Sequence, residues 1–415
     1  MSRAMKHSGI EWIGEIPKEW RIELIGNNIK EIKDKNEDSS EDNALQFKMG
    51  TIISKKGGDS KYNPESLAAY TKVQEGDIVI NGLNLSFDLV SQRVGLVREK
   101  GVITSTYLTL RPSSLLYSDF VNYLFKAYDN CKAFHGMGRG LRQILSYKEL
   151  GNQKLIYPSL QEQQKIANYL DKVCGEVDEM IALQEQMIEE LKAYKQSVIT
   201  EAVTKGLNPN VPMKDSGIDW IGEVPEGWKV CKLKNVYQLL NGRAYLDPEL
   251  LEEGKYRILR VGNLFSSDKW YYSDMELEDN KYCQLGDLLY GWSASIGPYI
   301  WKGEKVIYHY HIWKVLFGNN NLHFSYYLLY ALTLAKQRDM HGSAMQHLTK
   351  TNMDNSFVAL PSLGEQQSIA SYLDTKCSEI DALIAIKQQK IDELKDYKKS
   401  VIYEYVTGKK EVEGV

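Results

Sequence analysis

The feature that most constrains this chain is a long segment that occurs twice. Residues 158–206 begin PSLQEQQKIANYLD, and residues 361–409 begin PSLGEQQSIASYLD. Aligned without gaps, roughly six in ten positions are identical, far above what two helices share by composition alone. A second repeat lies upstream, because MKHSGIEWIGEIPKEW at residues 5–20 returns as MKDSGIDWIGEVPEGW at residues 213–228. Both repeats shift by about 205 residues, so the protein is a tandem duplication.

The two repeated segments are predicted to form long helices that pair as a coiled coil. Their apolar residues recur in steps of three and four over four heptads or more, with a proline before each segment and a glycine near its end. A helix of about 42 residues is about 63 Å long. The residues expected at the packing seam are Ile166, Leu170, Val173, Val177, Ile369, Leu373, Ile380 and Leu394. Two near-identical stripes in one chain favour packing on each other, and a coiled coil between two chains is the alternative.

Composition and cysteine usage bound the class of protein. With 43% hydrophobic and 11% aromatic residues over 415 positions, both halves can build real cores. No apolar run approaches the roughly 18 residues of a membrane span, and the N-terminal end lacks a signal-peptide core. The five cysteines are scattered and have no CxxC spacing, which argues against a disulfide framework or a zinc site. We therefore expect a cytoplasmic protein.

The formal net charge of −4 hides a gradient along the chain. By residue count, residues 21–157 carry about +3 and residues 229–360 about +2, whereas residues 161–205 carry about −4. The segments between the repeats are thus the less acidic parts. This distribution permits a basic nucleic-acid-binding face without demonstrating one.

The two globular segments interleave strand and helix signals and share landmarks. Strand-like runs precede a helical pattern at residues 117–130, and the second half retraces this with GDLL at residues 286–289 in place of GDIV at residues 76–79. We predict duplicated α/β (α+β) domains with a twisted sheet, joined by two long coiled-coil helices with pseudo-twofold symmetry. The predicted segments are a first domain at 1–157, a helical region at 158–212, a second domain at 213–360 and a helical region at 361–415.

Catalytic motifs are missing from the sequence, and what recurs is polar and lies on predicted loops. The sequence contains no GxxxxGK[ST], no strand-linked GxGxxG and no HExxH. Arginine and glutamine suit base edges, lysine and serine suit phosphates, and glycines allow close backbone approach. The candidate DNA-binding residues are Asn81, Asn84, Ser86, Gln92, Arg93, His135, Arg139, Arg142 and Gln143 in the first half, and Arg243, Trp292, Ser293, Ser295, His341, Ser343, Gln346, His347 and Lys350 in the second. For each of them, a solvated surface loop is the alternative interpretation. No metal or catalytic residue is predicted.

Together these features resemble the DNA-specificity (S) subunit of type I restriction-modification systems. The most specific element is PSLxEQQxIAxYLD at the start of both helices, followed by the twice-used SGI[ED]WIGE[IV]PxxW. The resemblance implies two target recognition domains that each read half of a split DNA sequence. It further implies two antiparallel coiled-coil helices that separate these domains and dock two methyltransferase (modification) subunits. It also implies restriction/translocase subunits as further partners. S-adenosylmethionine, ATP and Mg²⁺ would belong to these partners, and this chain would bind no cofactor.

The duplication agrees physically with such a reader, because pseudo-twofold symmetry suits two half-sites on a duplex. Half-sites one helical turn apart need centres about 34–36 Å apart, a scale that a helix pair of about 63 Å supplies. We expect the helices to act as a ruler for the gap between half-sites. Two rivals are a chain that itself contributes to cleavage, which should show a carboxylate metal site in both halves, and a coiled-coil scaffold without DNA specificity.

Overall fold

The computed structural model describes residues 3–55, 67–90, 92–140, 143–293, 295–339 and 348–412. The chain divides into two compact units, of which the first comprises Met1–Glu185 with Gln389–Val415 and the second Gln186–Gln388. Each unit therefore combines one globular segment with a part of both long helices. The four-segment division predicted above stays a prediction.

The helices include six short or medium ones and two that are far longer. Their bounds are α1 Ile25–Asn28, α2 Ser118–Asn130, α3 Tyr147–Gly151, α4 Leu160–Lys205, α5 Val261–Phe265, α6 Leu322–Asp339, α7 Lys350–Asp354 and α8 Leu363–Val406. At 46 and 44 residues, α4 and α8 are about 69 and 66 Å long. The predicted helices are confirmed and slightly exceed the expected length.

A buried glutamine explains why both long helices begin with the same motif. Gln163 is fully buried; its Nε2 donates to the carbonyls of Leu115 and Pro158, and its Oε1 accepts from the Tyr117 amide at 2.8 Å. In the second unit, Gln366 accepts from the Asn321 amide at 2.8 Å and donates to the Pro361 carbonyl. Each side chain thereby fastens the start of a long helix to the segment that opens a domain helix. An apolar substitution would leave these buried backbone groups unpaired.

The first unit is built on a four-stranded antiparallel sheet in the order β4-β11-β8-β9. Its strands are β1 Met5–His7, β2 Glu15–Pro17, β3 Arg21–Leu24, β4 Ile29–Glu31, β5 Leu45–Lys48, β6 Thr51–Ser54, β7 Thr71–Val73, β8 Ile78–Ile80, β9 Val94–Leu96, β10 Gly101–Ile103, β11 Leu108–Pro112 and β12 Lys154–Tyr157. Helix α2 packs against this sheet, and Trp20 from the N-terminal repeat enters the same core at 1% exposure. Trp20 of the tryptophan-rich repeat is therefore a packing anchor of the first domain.

The second unit repeats the strand order of the first with β16-β23-β20-β21. Its strands are β13 Met213–Asp215, β14 Glu223–Pro225, β15 Lys229–Lys232, β16 Gln238–Asn241, β17 Tyr256–Leu259, β18 Tyr271–Ser273, β19 Tyr282–Cys283, β20 Leu288–Gly291, β21 Gly297–Ile300, β22 Val306–Tyr308, β23 Ile312–Leu316 and β24 Phe357–Leu360. A second sheet, β18-β17-β22-β19, contains the parallel pair β17–β22. The predicted duplicated mixed fold is confirmed, with antiparallel pairing predominant.

The turn that opens the central strand is the same in both units. Gly76 and Gly286 each have φ +88°, a conformation that favours glycine, and the aspartate after each accepts from the amide three residues before it. The aspartate then meets a cation on the neighbouring strand, Arg111 for Asp77 and Lys314 for Asp287, at 2.7 Å in both units. The same turn with its ion pair therefore anchors the sheet in both domains.

Within each unit, a stretch of α4 packs antiparallel on a stretch of α8. In the first unit, Asp178 pairs with Lys398 at 2.6 Å, and the rings of Tyr169 and Tyr405 lie 4.4 Å apart. In the second unit, Lys195 pairs with Asp381 at 2.7 Å, the same two residue types one repeat later. The predicted antiparallel pairing is confirmed within each unit.

Candidate DNA interface

Two loops of the first unit carry most of its candidate DNA-binding residues, and the fold brings them together. The Leu145 amide donates to the Gly82 carbonyl at 2.9 Å, and the Leu85 amide donates to the Gln143 carbonyl at 3.2 Å. A Cβ on Gly82 would lie 2.9 Å from the Leu145 side chain, so the close approach requires glycine there. Two stretches that are about 60 positions apart in sequence therefore form one surface.

The candidates on this surface differ in their accessibility. The exposed ones are Asn84, Ser86, Gln92 and Arg139, and the half-buried ones are Asn81, His135 and Gln143. Arg139 pairs with Glu149 at 2.9 Å while its side chain stays 78% exposed. Both ring nitrogens of His135 are buried and have no hydrogen-bond partner among the described residues. Arg142 lies outside the described residues.

Arg93 requires a correction, because it is not placed to contact DNA directly. The residue is 1% exposed, and its guanidinium donates to backbone carbonyls of the loop that precedes it. Its backbone amide donates to Asp129 on α2 at 2.8 Å. An arginine after a polar loop suggests a base contact in sequence, whereas here both Nη atoms donate to carbonyls of the protein's own main chain.

In the second unit, a run of four aromatic side chains connects two of the candidates. Residues 308–311 read YHYH; the Arg243 amide donates to the Tyr308 carbonyl at 3.0 Å, and the Trp292 indole donates to the Tyr310 carbonyl at 2.8 Å. Trp292 stacks on Trp313 at 5.8 Å, and Trp313 stacks on Tyr290 at 5.7 Å. Tyr310 is not among the candidates predicted from the sequence, although the run of aromatic residues at 308–311 was a visible signal.

Electrostatics further distinguish the candidates of this surface. Arg243 makes a bidentate pair with Glu249 at 2.7 and 2.9 Å, and this pair lowers the pKa of Glu249 to about 2. A phosphate or base that binds Arg243 must therefore displace a carboxylate. Burial, together with His311 and Arg260, lowers the pKa of His309 to about 4, so His309 is neutral near pH 7.

The remaining second-unit candidates are spread among different environments. Ser293 is buried, Ser295 is half-buried, and exposed Lys350 pairs with Asp354 on α7 at 2.9 Å. His341, Ser343, Gln346 and His347 lie outside the described residues. The structure thus unites Arg243 with Trp292 through residues 308–311.

The long helices carry exposed apolar side chains that recur at the same positions in both copies. In the first unit the exposed side chains are Leu160, Met180, Leu183 and Tyr397, and their repeat counterparts in the second unit are Leu363, Leu383, Ile386 and Tyr194. All eight positions retain apolar or aromatic residues at an offset of 203. The eight predicted seam residues, by contrast, are buried or, for Val173, half-buried. Ile166, Leu170, Ile369 and Leu373 belong to the domain cores as well.

The described residues form neither a metal site nor a membrane-spanning helix. No group of three or more His, Cys, Asp or Glu side chains there is arranged to hold a metal ion. None of the helices described has the length and apolarity needed to cross a membrane. Burial raises the pKa of the repeated thiols Cys174 and Cys377, as expected of packing residues.

One family of known proteins matches this chain twice, once in each repeated half. The family described as "Type I restriction modification DNA specificity domain" matches residues 20–193 and again residues 225–396. The chain belongs to this family. The resemblance inferred from the repeated motifs is thereby confirmed, and the two matched stretches each contain one domain and most of the long helix that follows it.

Relatives in this specificity family align over about half of the chain or nearly all of it. The MjaVIII type I restriction enzyme specificity subunit of Methanocaldococcus jannaschii is 26% identical, covering 95% of this chain and 93% of that protein. The EcoBI specificity subunit of Escherichia coli is 21% identical over 47% of this chain and 42% of its own length. A solved chain from a study of complex assembly and conformational transition in a type I R-M system has a TM-score of 0.73 at 15% identity, covering 95% of this chain and 99% of that one. The HsdS subunit of Thermoanaerobacter tengcongensis has a TM-score of 0.50 at 16% identity, covering 95% and 98%.

Proposed function

We propose that the chain is the DNA specificity subunit of a type I restriction-modification complex and reads a bipartite target. The observation that carries the proposal is a shared sheet frame, used twice, whose loops differ while the exposed surface of the helices is repeated. Loops that differ on a common frame suit two different half-sites. A repeated apolar surface suits two copies of one partner.

The partners follow from the same division of labour. We assign double-stranded DNA to the domains and two modification subunits to the exposed apolar sets on the helices, with restriction/translocase subunits completing the complex in the cytoplasm. Methyl transfer from S-adenosylmethionine and ATP- and Mg²⁺-dependent cleavage belong to these subunits, and this chain is a non-catalytic reader. Family membership and the duplicated apolar sets support this assignment.

The decisive experiment maps DNA methylation in cells that carry this chain together with its modification subunit. We expect a split motif methylated on both strands, which disappears when the chain is deleted. Replacing residues 21–157 with the same segment of a relative should change one half of the motif and leave the other intact. A methylation pattern that ignores the deletion would favour the coiled-coil scaffold without sequence specificity.

The docking surfaces can be tested separately from DNA reading. Leu183 is 52% exposed and its counterpart Ile386 is 60% exposed, so aspartate at either position should not disturb the core. Leu183→Asp or Ile386→Asp should each leave a complex with one modification subunit, and the double variant should bind none, as measured by native mass spectrometry. Lys172→Asp is the matched control, because it is exposed on α4 and its repeat counterpart is Thr375. Full binding of both subunits to the double variant would refute this docking surface.

The expected ruler function of the helices predicts a change in target spacing. Seven residues inserted after Glu185 and seven after Gln388 lengthen each helix by about 10.5 Å. The gap between half-sites should then grow by about three base pairs, at 3.4 Å each. Methylation mapping reads this directly, and an unchanged gap would rule the ruler out.

A further inference from the structure

The loop between β8 and β9 is built around a buried guanidinium. Nη1 of Arg93 donates to the carbonyls of Asn81 at 3.0 Å and Leu83 at 2.7 Å, and Nη2 donates to the Asp88 carbonyl at 2.7 Å. Leu85, in the middle of the loop, is fully buried in the domain core. The main chain of residues 81–88 is thus held from within by a single side chain and one apolar anchor.

The same loop turns three apolar side chains outward. Phe87 is 79% exposed, Leu89 is 58% exposed and Val90 is 86% exposed. Single exposed apolar residues are ordinary, whereas three among four consecutive residues on a fixed main chain form a patch that needs a reason. We name residues 87–90 the apolar tip.

Cationic side chains flank the apolar tip. Exposed Lys132 donates through Nζ to the Leu89 carbonyl, and Arg139 lies on the neighbouring loop that pairs with Gly82 and Leu85. The acidic groups close by include Asp88, 3.7 Å from the Arg93 guanidinium, Glu149, which pairs with Arg139, and Asp129, which accepts from the Arg93 amide. An apolar tip between cations matches duplex DNA, in which stacked bases lie between two phosphate strands.

The position of the loop in the frame favours DNA over a protein partner. The β8–β9 connection corresponds to the β20–β21 connection of the second unit, which carries the stacked Trp292. Both connections therefore carry an aromatic side chain, exposed in Phe87 and half-buried in Trp292, although they differ in length and sequence. A partner shared by both halves would require similar connections, whereas a split DNA target requires different ones.

We propose that the apolar tip contacts bases of the half-site read by the first domain, with Phe87 against a base step, and that Arg93 is its positioning residue. The proposal rests on the proposed function and specifies which element of the first domain reads DNA. Apolar side chains placed at a base step select steps that unstack easily, so the contact contributes to specificity without a hydrogen bond to a base edge.

The test uses the full chain assembled with its modification subunit and a duplex containing the methylation motif mapped in cells. Phe87→Ala should weaken binding about tenfold, the scale of one lost stacking contact. The salt dependence of binding should stay unchanged, because an apolar contact releases no counterions. Leu285→Ala, which truncates an equally exposed apolar side chain of the second unit, is the matched control and should bind as the unaltered protein does.

A second pair of variants tests Arg93 as a positioning residue. Arg93→Lys keeps the charge but cannot reach several carbonyls at once, so it should release the tip and weaken binding about as much as Phe87→Ala. If Arg93 acts through Phe87, the double variant should bind no worse than either single one. A merely structural defect in Arg93→Lys would instead add to the effect of Phe87→Ala and thereby overturn the assignment of Arg93.

The outcomes separate this inference from the proposed function. If the unaltered complex prefers the mapped duplex over a scrambled one and Phe87→Ala binds equally well, the apolar tip is excluded as a reading element while the proposed function stands. If the unaltered complex shows no preference, the proposed function itself fails. Tenfold weaker binding confined to the first half-site, with recognition of the second unchanged, supports the inference.

Discussion

The two long helices retain much more of the duplication than the two domains do. The helices keep most of their sequence, their buried seam and their exposed apolar positions in both copies, whereas the domains keep the sheet order, the GD turn and the packing helix but differ in their loops. The connection after the central strand spans residues 81–93 in one domain and residues 292–296 in the other. Under the proposed function, the repeated helices meet two copies of one partner, and the differing loops meet two different half-sites.

The two connections are also stabilised by different physical means. In the first domain a buried arginine satisfies several carbonyls, so the loop is held by charge-assisted hydrogen bonds. In the second, Trp292 is held by ring stacking on Trp313 and by an indole hydrogen bond. The same frame therefore tolerates unrelated loop chemistry, because each loop supplies its own anchor.

The largest predicted effect tests the claim that the helices are equivalent. Leu170 and its counterpart Leu373 are both fully buried where a long helix meets a domain core. Replacing either with alanine should cost about 2–5 kcal/mol of unfolding free energy in its own unit, from lost burial and the cavity left behind. Hydrogen exchange read separately in each unit measures both values.

The two leucine variants should agree within about 0.5 kcal/mol if the helix environments are equivalent. Leu183→Ala, at an exposed position of α4, is the control and should change stability by less than about 0.5 kcal/mol. A difference of several kcal/mol between the leucine variants would show that the repeated motifs pack differently.

A smaller effect should separate the two copies of the GD turn. Asp77 has a side chain only 1% exposed and binds the Arg111 guanidinium through both oxygens, whereas Asp287 is 21% exposed and meets a lysine. Asp77→Ala should cost about 3 kcal/mol, since it leaves a cation and a backbone amide without their buried partner. Asp287→Ala should cost about 1 kcal/mol because water reaches the site. Equal losses of unfolding free energy, measured by chemical denaturation, would contradict the expectation that the more buried aspartate contributes more stability.

Sequence alone predicts elements that a local residue pattern defines. It does not predict contacts that form only when distant residues come together in the folded chain. The long helices and strand β23 were predictable, because apolar period and flanking residues define them locally. Strand β20 begins at Leu288, inside the GDLL landmark at 286–289, because Gly286 and Asp287 form the turn. The role of Arg93 was not predictable, since its carbonyl acceptors converge only after the loop has folded around it.

The candidate DNA interface was likewise predicted only in part. Asn84, Ser86 and Arg139 were predicted from loop chemistry and lie exposed, although their contacts with DNA stay predictions. The apolar tip was not predicted, because polar side chains are the usual sign of a DNA-binding loop. In addition, the alternating apolar and polar residues around Phe87 resemble a strand. Exposure, which only tertiary structure determines, turned these side chains into a signal.

A pH effect should distinguish the second domain from the first. Burial keeps the pKa of His309 near 4 in the folded state against about 6.5 when unfolded, so the unfolded chain binds an extra proton between these values. The second unit should therefore lose stability as pH falls from 6.5 to about 4, by at most about 1.4 kcal/mol per pH unit for one proton. His309→Gln should flatten that slope in hydrogen-exchange measurements of the second unit and leave the first unit unaffected. An unchanged slope would show that other groups set the acid sensitivity.

The smallest effect concerns the repeated ion pairs, Asp178 with Lys398 in one unit and Lys195 with Asp381 in the other. The aspartate side chains are 60% and 58% exposed, so each pair should contribute less than about 1 kcal/mol. A double-mutant cycle at each pair, with alanine at one or both positions, should return two coupling energies that agree within error and fall with added salt. Exchanging the charges, as Asp178→Lys with Lys398→Asp, should restore most of the coupling. If the energies are this small, the repetition of both pairs reflects the register of the antiparallel helices more than their stability, because a one-turn slip would separate each lysine from its carboxylate.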